Sequence, residues 1–213
     1  MHGDRGFTIL ELLIASTVFS VILLLATSGV IQLGRLYHKN LALNRTQETA
    51  RSIGEEIERS IQFARGSVSA ASSLNPDQSR TQCIGNIQYT FWIDRKVENV
   101  NGTQNHALLM KQLGPKDTCA SQSGGTELLS NNMRLLNFEI IPPDANGLAQ
   151  INIRIAYGDN DLLDHYNTDG SKISDDPAEF AEATREANCH SGIAGSSFCA
   201  VAQLDISAKR RLQ

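Results

Sequence analysis

The sequence predicts an α+β fold in which one long N-terminal α-helix, transmembrane in its first half, packs on an antiparallel β-sheet. Three observations predict the helix: an uncharged apolar run opens the chain, an apolar stripe with a seven-residue repeat follows it, and no proline precedes Pro76. The later segments instead alternate apolar and polar residues with a period of two, which is typical of half-buried strands. A helix laid on one face of such a sheet is a common α+β arrangement.

The N-terminal apolar run is long enough to cross a lipid bilayer. No charged side chain occurs from Leu12 to Gly34, and about 18 or more residues of this kind span the hydrocarbon core as a helix. Glu11 stands at the head of this run. A charge inside a membrane span costs about 2.5 to 3.5 kcal/mol on insertion scales, so Glu11 is a functional candidate that requires a partner.

Three interpretations of the N-terminus are open from these residues alone. An ordinary secretory signal, cut near Ala26–Ser28, has an apolar stretch of roughly 7 to 15 residues, which is shorter than the run found here. A plain membrane anchor explains the length and leaves Glu11 unexplained. Cleavage between Gly6 and Phe7 explains both, because it creates an α-amine one helical turn before Glu11. In a stack of such helices, the carboxylate of one subunit would meet the amine of its neighbour.

Residues 6–11, Gly-Phe-Thr-Ile-Leu-Glu, resemble the class III signal of type IV pilins and type II secretion pseudopilins. The resemblance covers about residues 1–34. It implies cleavage by a prepilin peptidase after Gly6, N-methylation of Phe7, and a role for Glu11 in filament assembly.

The resemblance also implies a domain plan and a set of partners. Residues 1–6 would be the leader, residues 7–34 the transmembrane and filament-core half of the helix, and residues 35–213 a soluble pilin-like head. The implied partners are other pilins through the N-terminal helix, the prepilin peptidase, the inner-membrane assembly platform, and the lipid bilayer before assembly. The implied location is the inner membrane, as a single-pass protein, and then a filament at the cell surface or across the periplasm.

We expect a single helix from about Phe7 to Arg65. Its second half carries an apolar stripe that packs into the head, while charged residues occupy the other faces. The stripe consists of Leu36, Leu43, Ala50, Ile57 and Ala64, reinforced by Ile53 and Ile61. Many major pilins carry a proline well inside this helix; here Ser28-Gly29 is a weaker flexible point.

The segments after a polar loop at Gly66–Ser79 have the alternation expected of strands. Asn101-Gly102 predicts a tight hairpin turn, a role we prefer to glycosylation of the same asparagine. The predicted strands are Ile87–Asp94, Ala107–Leu113, Arg134–Ile141, Ala149–Tyr157 and Ala200–Ala208.

Four cysteines lie after the apolar run. An exported chain with an even number of cysteines usually forms disulfides, and four cysteines allow three pairings. We favour Cys83–Cys119 with Cys189–Cys199, because each closes the shortest loop. The spacing offers no C-x-x-C and no matching pair of histidines, so a zinc site is not expected.

A long acidic insertion, residues 158–198, interrupts the strand rhythm. We expect a short helix-like stretch at Pro177–Asn188 inside it. Asp159, Asp161 and Asp169 are weak candidate ligands for calcium, which binds carboxylate oxygens. No complete EF-hand spacing is present, so a solvated acidic loop is the preferred interpretation and no cofactor is expected.

The remaining patterns favour a structural protein over an enzyme. The net charge is -4 and gives no indication of nucleic-acid binding. The histidines lack metal-ligand spacing, and there is no nucleophile elbow, P-loop or dinucleotide fingerprint. We expect a minor pilin of a type IV pilus-like filament that serves initiation, adhesion, motility or DNA uptake. A minor pseudopilin of a type II secretion system is one alternative, and a membrane-anchored exported domain or enzyme that never assembles is another.

Overall fold

A computed structural model describes residues 8–63, 67–100, 102–115, 117–120, 124–144, 147–166, 186–190 and 195–209. The predicted cleavage site at Gly6 and Phe7 lies outside the described residues, as does Asp169.

The predicted long helix is confirmed: α1 runs without interruption from Ile9 to Phe63, 55 residues, or about 80 Å at 1.5 Å per residue. Its first half projects from the head, since the apolar side chains between Ile9 and Tyr37 are exposed. By length and composition this part of α1 is able to cross a membrane. Its second half is amphipathic and buries one face against the head.

Eleven strands follow the helix in the described residues, and every ladder between them is antiparallel. One sheet has the order β1-β2-β5-β6 and the other β11-β8-β7, while β3-β4 and β9-β10 form two hairpins. The α+β prediction is confirmed. The strands are β1 Arg80–Ile84, β2 Ile87–Phe91, β3 Glu98–Val100, β4 Thr103–Asn105, β5 Leu108–Gln112, β6 Thr126–Glu127, β7 Met133–Ile141, β8 Leu148–Tyr157, β9 Leu163–Tyr166, β10 Glu186–Cys189 and β11 Ala200–Lys209.

Helix α1 lies on the three-stranded sheet. Ile53, Ile57 and Ile61 are buried among the inward residues of β8 in one continuous core. The helix approaches β11 closely at Gly54, where an added Cβ would collide with Ile206 and come within 3.0 Å of Leu204. A side chain at this position would force the ends of the Ile206 and Leu204 side chains to move, so glycine allows the close contact between the helix and the strand.

The N-terminal part of the predicted apolar stripe is wrong. Leu36 is exposed and Leu43 is half-buried, whereas Ala42 and Thr46 face the core. Leu36 lies in the part of α1 that projects from the head. A straight α-helix drifts by about 20° per seven-residue step, so a strict seven-residue repeat turns away from the core, and Leu43 is only half-buried. The Thr46 hydroxyl is tolerated there because it donates to the Ala42 carbonyl at 2.7 Å.

The strand predicted at Ile87–Asp94 ends at Phe91. The chain then crosses to the other sheet, where Ile93 and Lys96 form bridges to β7. Asp94 makes this crossing with a left-handed backbone, φ 58°.

The other predicted strands are found with shifts of one residue at most. Val100 pairs with Thr103 where β3 meets β4, as expected next to a hairpin turn. Asn101 of the predicted turn and Ala64 of the predicted stripe lie outside the described residues.

The helix-like stretch predicted at Pro177–Asn188 is wrong at its end, because residues 186–188 belong to β10; residues 177–185 lie outside the described part. Strand β10 pairs with β9 inside the insertion. Its Ala187 carbonyl and Asn188 amide oxygen accept hydrogen bonds from Arg154 of β8 at 3.1 and 2.9 Å. Pairing and side-chain contacts from the sheet therefore override the local helical preference.

Tyr89 links the four-stranded sheet to α1 through its buried hydroxyl group. Its hydroxyl lies 3.1 Å from the Ser60 hydroxyl in a fully buried site. Burial raises the pKa of Tyr89 to about 12, and the hydrogen bond with Ser60 opposes this only in part. The pKa of Tyr89 in the folded protein lies above the unfolded value near 10. Its contribution to the free energy of unfolding is therefore complete well below pH 10 and is lost as the pH rises through 12. Two pKa units correspond to about 3 kcal/mol.

We therefore expect the free energy of unfolding of the wild-type chain to fall by about 2 kcal/mol more than that of Tyr89→Phe between pH 10 and 12, because the loss begins below pH 10 and ends above pH 12. Urea unfolding followed by Trp92 fluorescence measures both proteins, and Tyr89→Phe removes only the ionisable hydroxyl. Parallel pH curves for the two proteins would contradict this assignment.

Candidate assembly site at the start of the helix

Thr8 and Glu11 form the start of α1. The Glu11 backbone N–H donates to the Thr8 Oγ1 at 3.3 Å, and the Leu12 N–H donates to the Thr8 carbonyl at 3.2 Å. The Thr8 hydroxyl in turn lies 3.5 Å from Glu11 Oε2. Threonine followed three residues later by glutamate is the capping-box pattern, which satisfies the free N–H groups of a helix end.

The capping pattern adds a role for Thr8 that the sequence analysis missed. The signal was available, since Thr-x-x-Glu before an apolar run is a helix-start signature. The cap also positions Glu11 in the first helical turn, where the helix dipole favours a negative charge. Glu11 itself is exposed, so the head leaves its carboxylate accessible to a group from another chain.

The surface of α1 that follows Glu11 along the chain is apolar, although it contains several hydroxyl groups. Each of these hydroxyls donates to a backbone carbonyl three or four residues earlier, at 2.8 to 2.9 Å. Polar groups satisfied in this way carry little cost in lipid or in a helix–helix contact. The residues concerned are Ser16, Thr17, Ser20, Thr27 and Ser28. This surface therefore suits both a bilayer and a bundle of like helices.

The two disulfides of the structure agree with the pairing favoured from the sequence. Cys83 and Cys119 have Cα atoms 6.1 Å apart, and Cys189 and Cys199 have Cα atoms 5.6 Å apart. The first ties β1 to the loop after β5. The second connects the end of β10 to the start of β11 and so closes the insertion. Since Cys189 is bonded to Cys199, the neighbouring His190 has no thiol beside it; instead its Nδ1 lies 2.6 Å from Asp164 Oδ2.

Of the carboxylates proposed for calcium, the structure describes Asp159 and Asp161. Asp159 Oδ1 accepts from Lys96 Nζ at 2.9 Å, and Glu98 binds the same ammonium at 2.7 Å. The hydrogen bonds to Glu98 and then to Asp159 raise the pKa of Lys96. Asp161 is exposed. Within the described residues, no group of three or more His, Cys, Asp or Glu side chains is arranged to hold a metal ion.

The comparisons with known proteins concern the same end of the chain. Residues 1–27 match the family model described as the prokaryotic N-terminal methylation motif. No curated protein and no solved structure matches the chain. The resemblance of residues 6–11 to a class III signal is thereby confirmed. The chain therefore carries the N-terminal signal of type IV pilins and pseudopilins, followed by a helix and antiparallel sheets consistent with a pilin-like fold.

Proposed function

We propose that this protein is a minor pilin, a structural rather than catalytic subunit of a type IV pilus-like filament. The observation that carries the proposal is the coincidence of the methylation motif with a projecting apolar half-helix that presents Glu11 at its capped start. A prepilin peptidase would remove residues 1–6 and leave an α-amine on Phe7, which is then methylated. The helix would hold the subunit in the inner membrane until it assembles.

In the assembled filament, the Phe7 amine of one subunit would pair with Glu11 of its neighbour. Both charges lie in a low-dielectric helix bundle, so each offsets the desolvation of the other only when the axial register is correct. The apolar side chains of α1 are compatible with many axial offsets, whereas the charge pair is compatible with one. Glu11 thus fixes register, and the apolar surface supplies most of the contact area.

One feature of the head supports the proposal of a minor rather than a major pilin. Its insertion, residues 158–198, is closed by the Cys189–Cys199 disulfide and contains the β9-β10 hairpin. Such a feature gives one subunit a surface of its own at a specific place in a filament. A type II secretion minor pseudopilin shares the same N-terminal signal, and the test below separates the two by the fraction in which the chain is recovered.

The test follows the chain in cells that make type IV pili. We expect it in the sheared filament fraction, at low abundance beside a major pilin, and absent from that fraction when the prepilin peptidase is deleted. The matched control is Gly6→Leu, which blocks the cut and leaves the helix and head unchanged. Recovery of the Gly6→Leu chain in filaments, or absence of the wild-type chain from them, would contradict the proposal.

A further inference from the structure

The length of the apolar run of α1 determines how far the head lies from the bilayer centre. From Leu12 to Gly34 the helix rises about 35 Å, which matches a hydrocarbon core of about 30 Å. Arg35 is the first charge after the run, and Tyr37, His38 and Lys39 follow on the next turn, all exposed. Aromatic residues and long cationic side chains at the end of a span occupy the headgroup layer of a bilayer.

Phe198 is far from α1 in sequence but lies at the level of His38 along the helix. The His38 ring lies 5.1 Å from the ring of Phe198 and 5.9 Å from that of Tyr37, centroid to centroid. Phe198 ends the 3₁₀ turn Ser196–Phe198, next to the disulfide at Cys199. Its side chain is 49% exposed, and that of Tyr37 is 63% exposed. The three rings therefore form a row that runs from α1 onto the closed end of the insertion.

The direction of β11 shows that this row is the membrane-proximal end of the head. Ala202 and Leu204 of β11 flank a cleft whose other wall is α1 from Asn44 to Arg51. Ile206 lies further on, against Gly54. Strand β11 thus starts beside His38 and runs along α1 away from the apolar run. The Ser196–Phe198 turn, which immediately precedes β11, is consequently at the bottom of the head.

We propose that Tyr37, His38 and Phe198 form a lipid-facing base on which the head rests against the bilayer before assembly. The two exposed rings would enter the boundary between acyl chains and headgroups, and Arg35 and Lys39 would contact lipid phosphates. The base is continuous with the membrane span of α1, which indicates a bilayer as the occupant. The Cys189–Cys199 disulfide holds Phe198 in place, so binding costs little ordering of the turn.

This proposal rests on the membrane anchoring included in the proposed function, and three tryptophan variants separate the two claims. Phe198→Trp reports on the base and Leu24→Trp on the span. Leu148→Trp is the matched control. Leu148 is an exposed apolar residue of the three-stranded sheet, and it pairs with Lys209 at the end of β11 that lies far from Phe198. The full chain of each variant is reconstituted in phosphatidylethanolamine–phosphatidylglycerol vesicles, with and without brominated acyl chains. The signal of Trp92, the one native tryptophan, is subtracted using the wild-type protein.

We expect bromine to quench most of the added emission of Phe198→Trp and Leu24→Trp and to leave that of Leu148→Trp unchanged. Emission of Phe198→Trp should also shift to shorter wavelength when the chain passes from detergent into vesicles. If Leu24→Trp is quenched and Phe198→Trp behaves like Leu148→Trp, the lipid-facing base is wrong and anchoring stands. If Leu24→Trp is not quenched, the proposal that α1 anchors the chain in the membrane is wrong, and the proposal of a lipid-facing base is wrong with it.

Discussion

Replacing Glu11 by leucine should abolish incorporation into filaments while the chain still inserts in the membrane. In the proposed filament, leucine would remove the carboxylate at the head of the apolar run and would leave the Phe7 amine of the neighbouring subunit buried without a counter-charge, at a cost of about 3 to 5 kcal/mol. Such a cost lowers the association constant per contact on the order of a hundredfold or more. Insertion should not suffer, because an acid in the span is itself unfavourable.

The measurement compares the sheared filament fraction with the membrane fraction by quantitative immunoblot. Glu11→Gln serves as an isosteric companion: it keeps the side-chain length and removes only the charge, and it should fail to assemble as leucine does. Thr8→Val is the control for the capping role, since it deletes the hydroxyl that accepts the Glu11 N–H. Losing a cap costs about 1 kcal/mol, so Thr8→Val should still assemble.

Two outcomes would contradict the register role of Glu11. One is normal incorporation of the Glu11→Leu chain. The other is an equal loss of incorporation in Thr8→Val and Glu11→Leu, because then helix capping alone explains the requirement for this residue.

Replacing Asp94 by asparagine should destabilise the head by about 3 kcal/mol, the lower end of the usual cost of breaking a buried ion pair from one side, because the Asp94 side chain is 12% exposed. Arg134 is almost completely buried on β7, where its Nη1 donates to Asp94 Oδ1 at 3.2 Å. Its Nη2 donates to the Gly158 carbonyl at 3.1 Å, so the same guanidinium holds the residue at which the insertion begins. Asparagine suits the substitution because it tolerates the left-handed backbone of Asp94.

The double variant Asp94→Asn/Arg134→Met isolates the charge effect. The double variant removes both charges of this pair, so it should be more stable than Asp94→Asn, which leaves the buried guanidinium without the Asp94 charge. Urea unfolding of the full chain in detergent micelles, followed by Trp92 fluorescence, measures all the proteins. Trp92 reports on this region because Arg95 packs over its ring, 5.1 Å from the centroid. A loss below about 0.5 kcal/mol for Asp94→Asn, the range of ordinary surface substitutions, would contradict the assignment.

The sequence predicted the long helix and most of the three-stranded sheet because their physical causes are local. An uncharged run without proline specifies a helix, and the alternation from Ala149 to Tyr157 specifies a strand with one buried face. The same reasoning predicted a hairpin turn at the place where Val100 pairs with Thr103. It also located Glu11, since a lone acid in an apolar run is visible without any structure.

Strands β1 and β10 were missed because tertiary contacts decide them. Strand β1 reads Arg-Thr-Gln-Cys-Ile and shows no clear alternation. Its Gln82 is buried nevertheless, because the amide donates to the carbonyls of Ser69 and Ile140 at 2.9 and 2.5 Å. These partners are 13 and 58 residues away. The base at His38 and Phe198 was likewise invisible, since it joins residues that only the fold brings together.

The mature N-terminus shows whether this chain is processed as a pilin. Intact-mass analysis of the protein from cells with an active prepilin peptidase should show a chain that begins at Phe7, carries one methyl group and contains two disulfides. A chain that begins at Met1, or at Gly29 after an ordinary signal-peptide cut, would contradict processing by a prepilin peptidase.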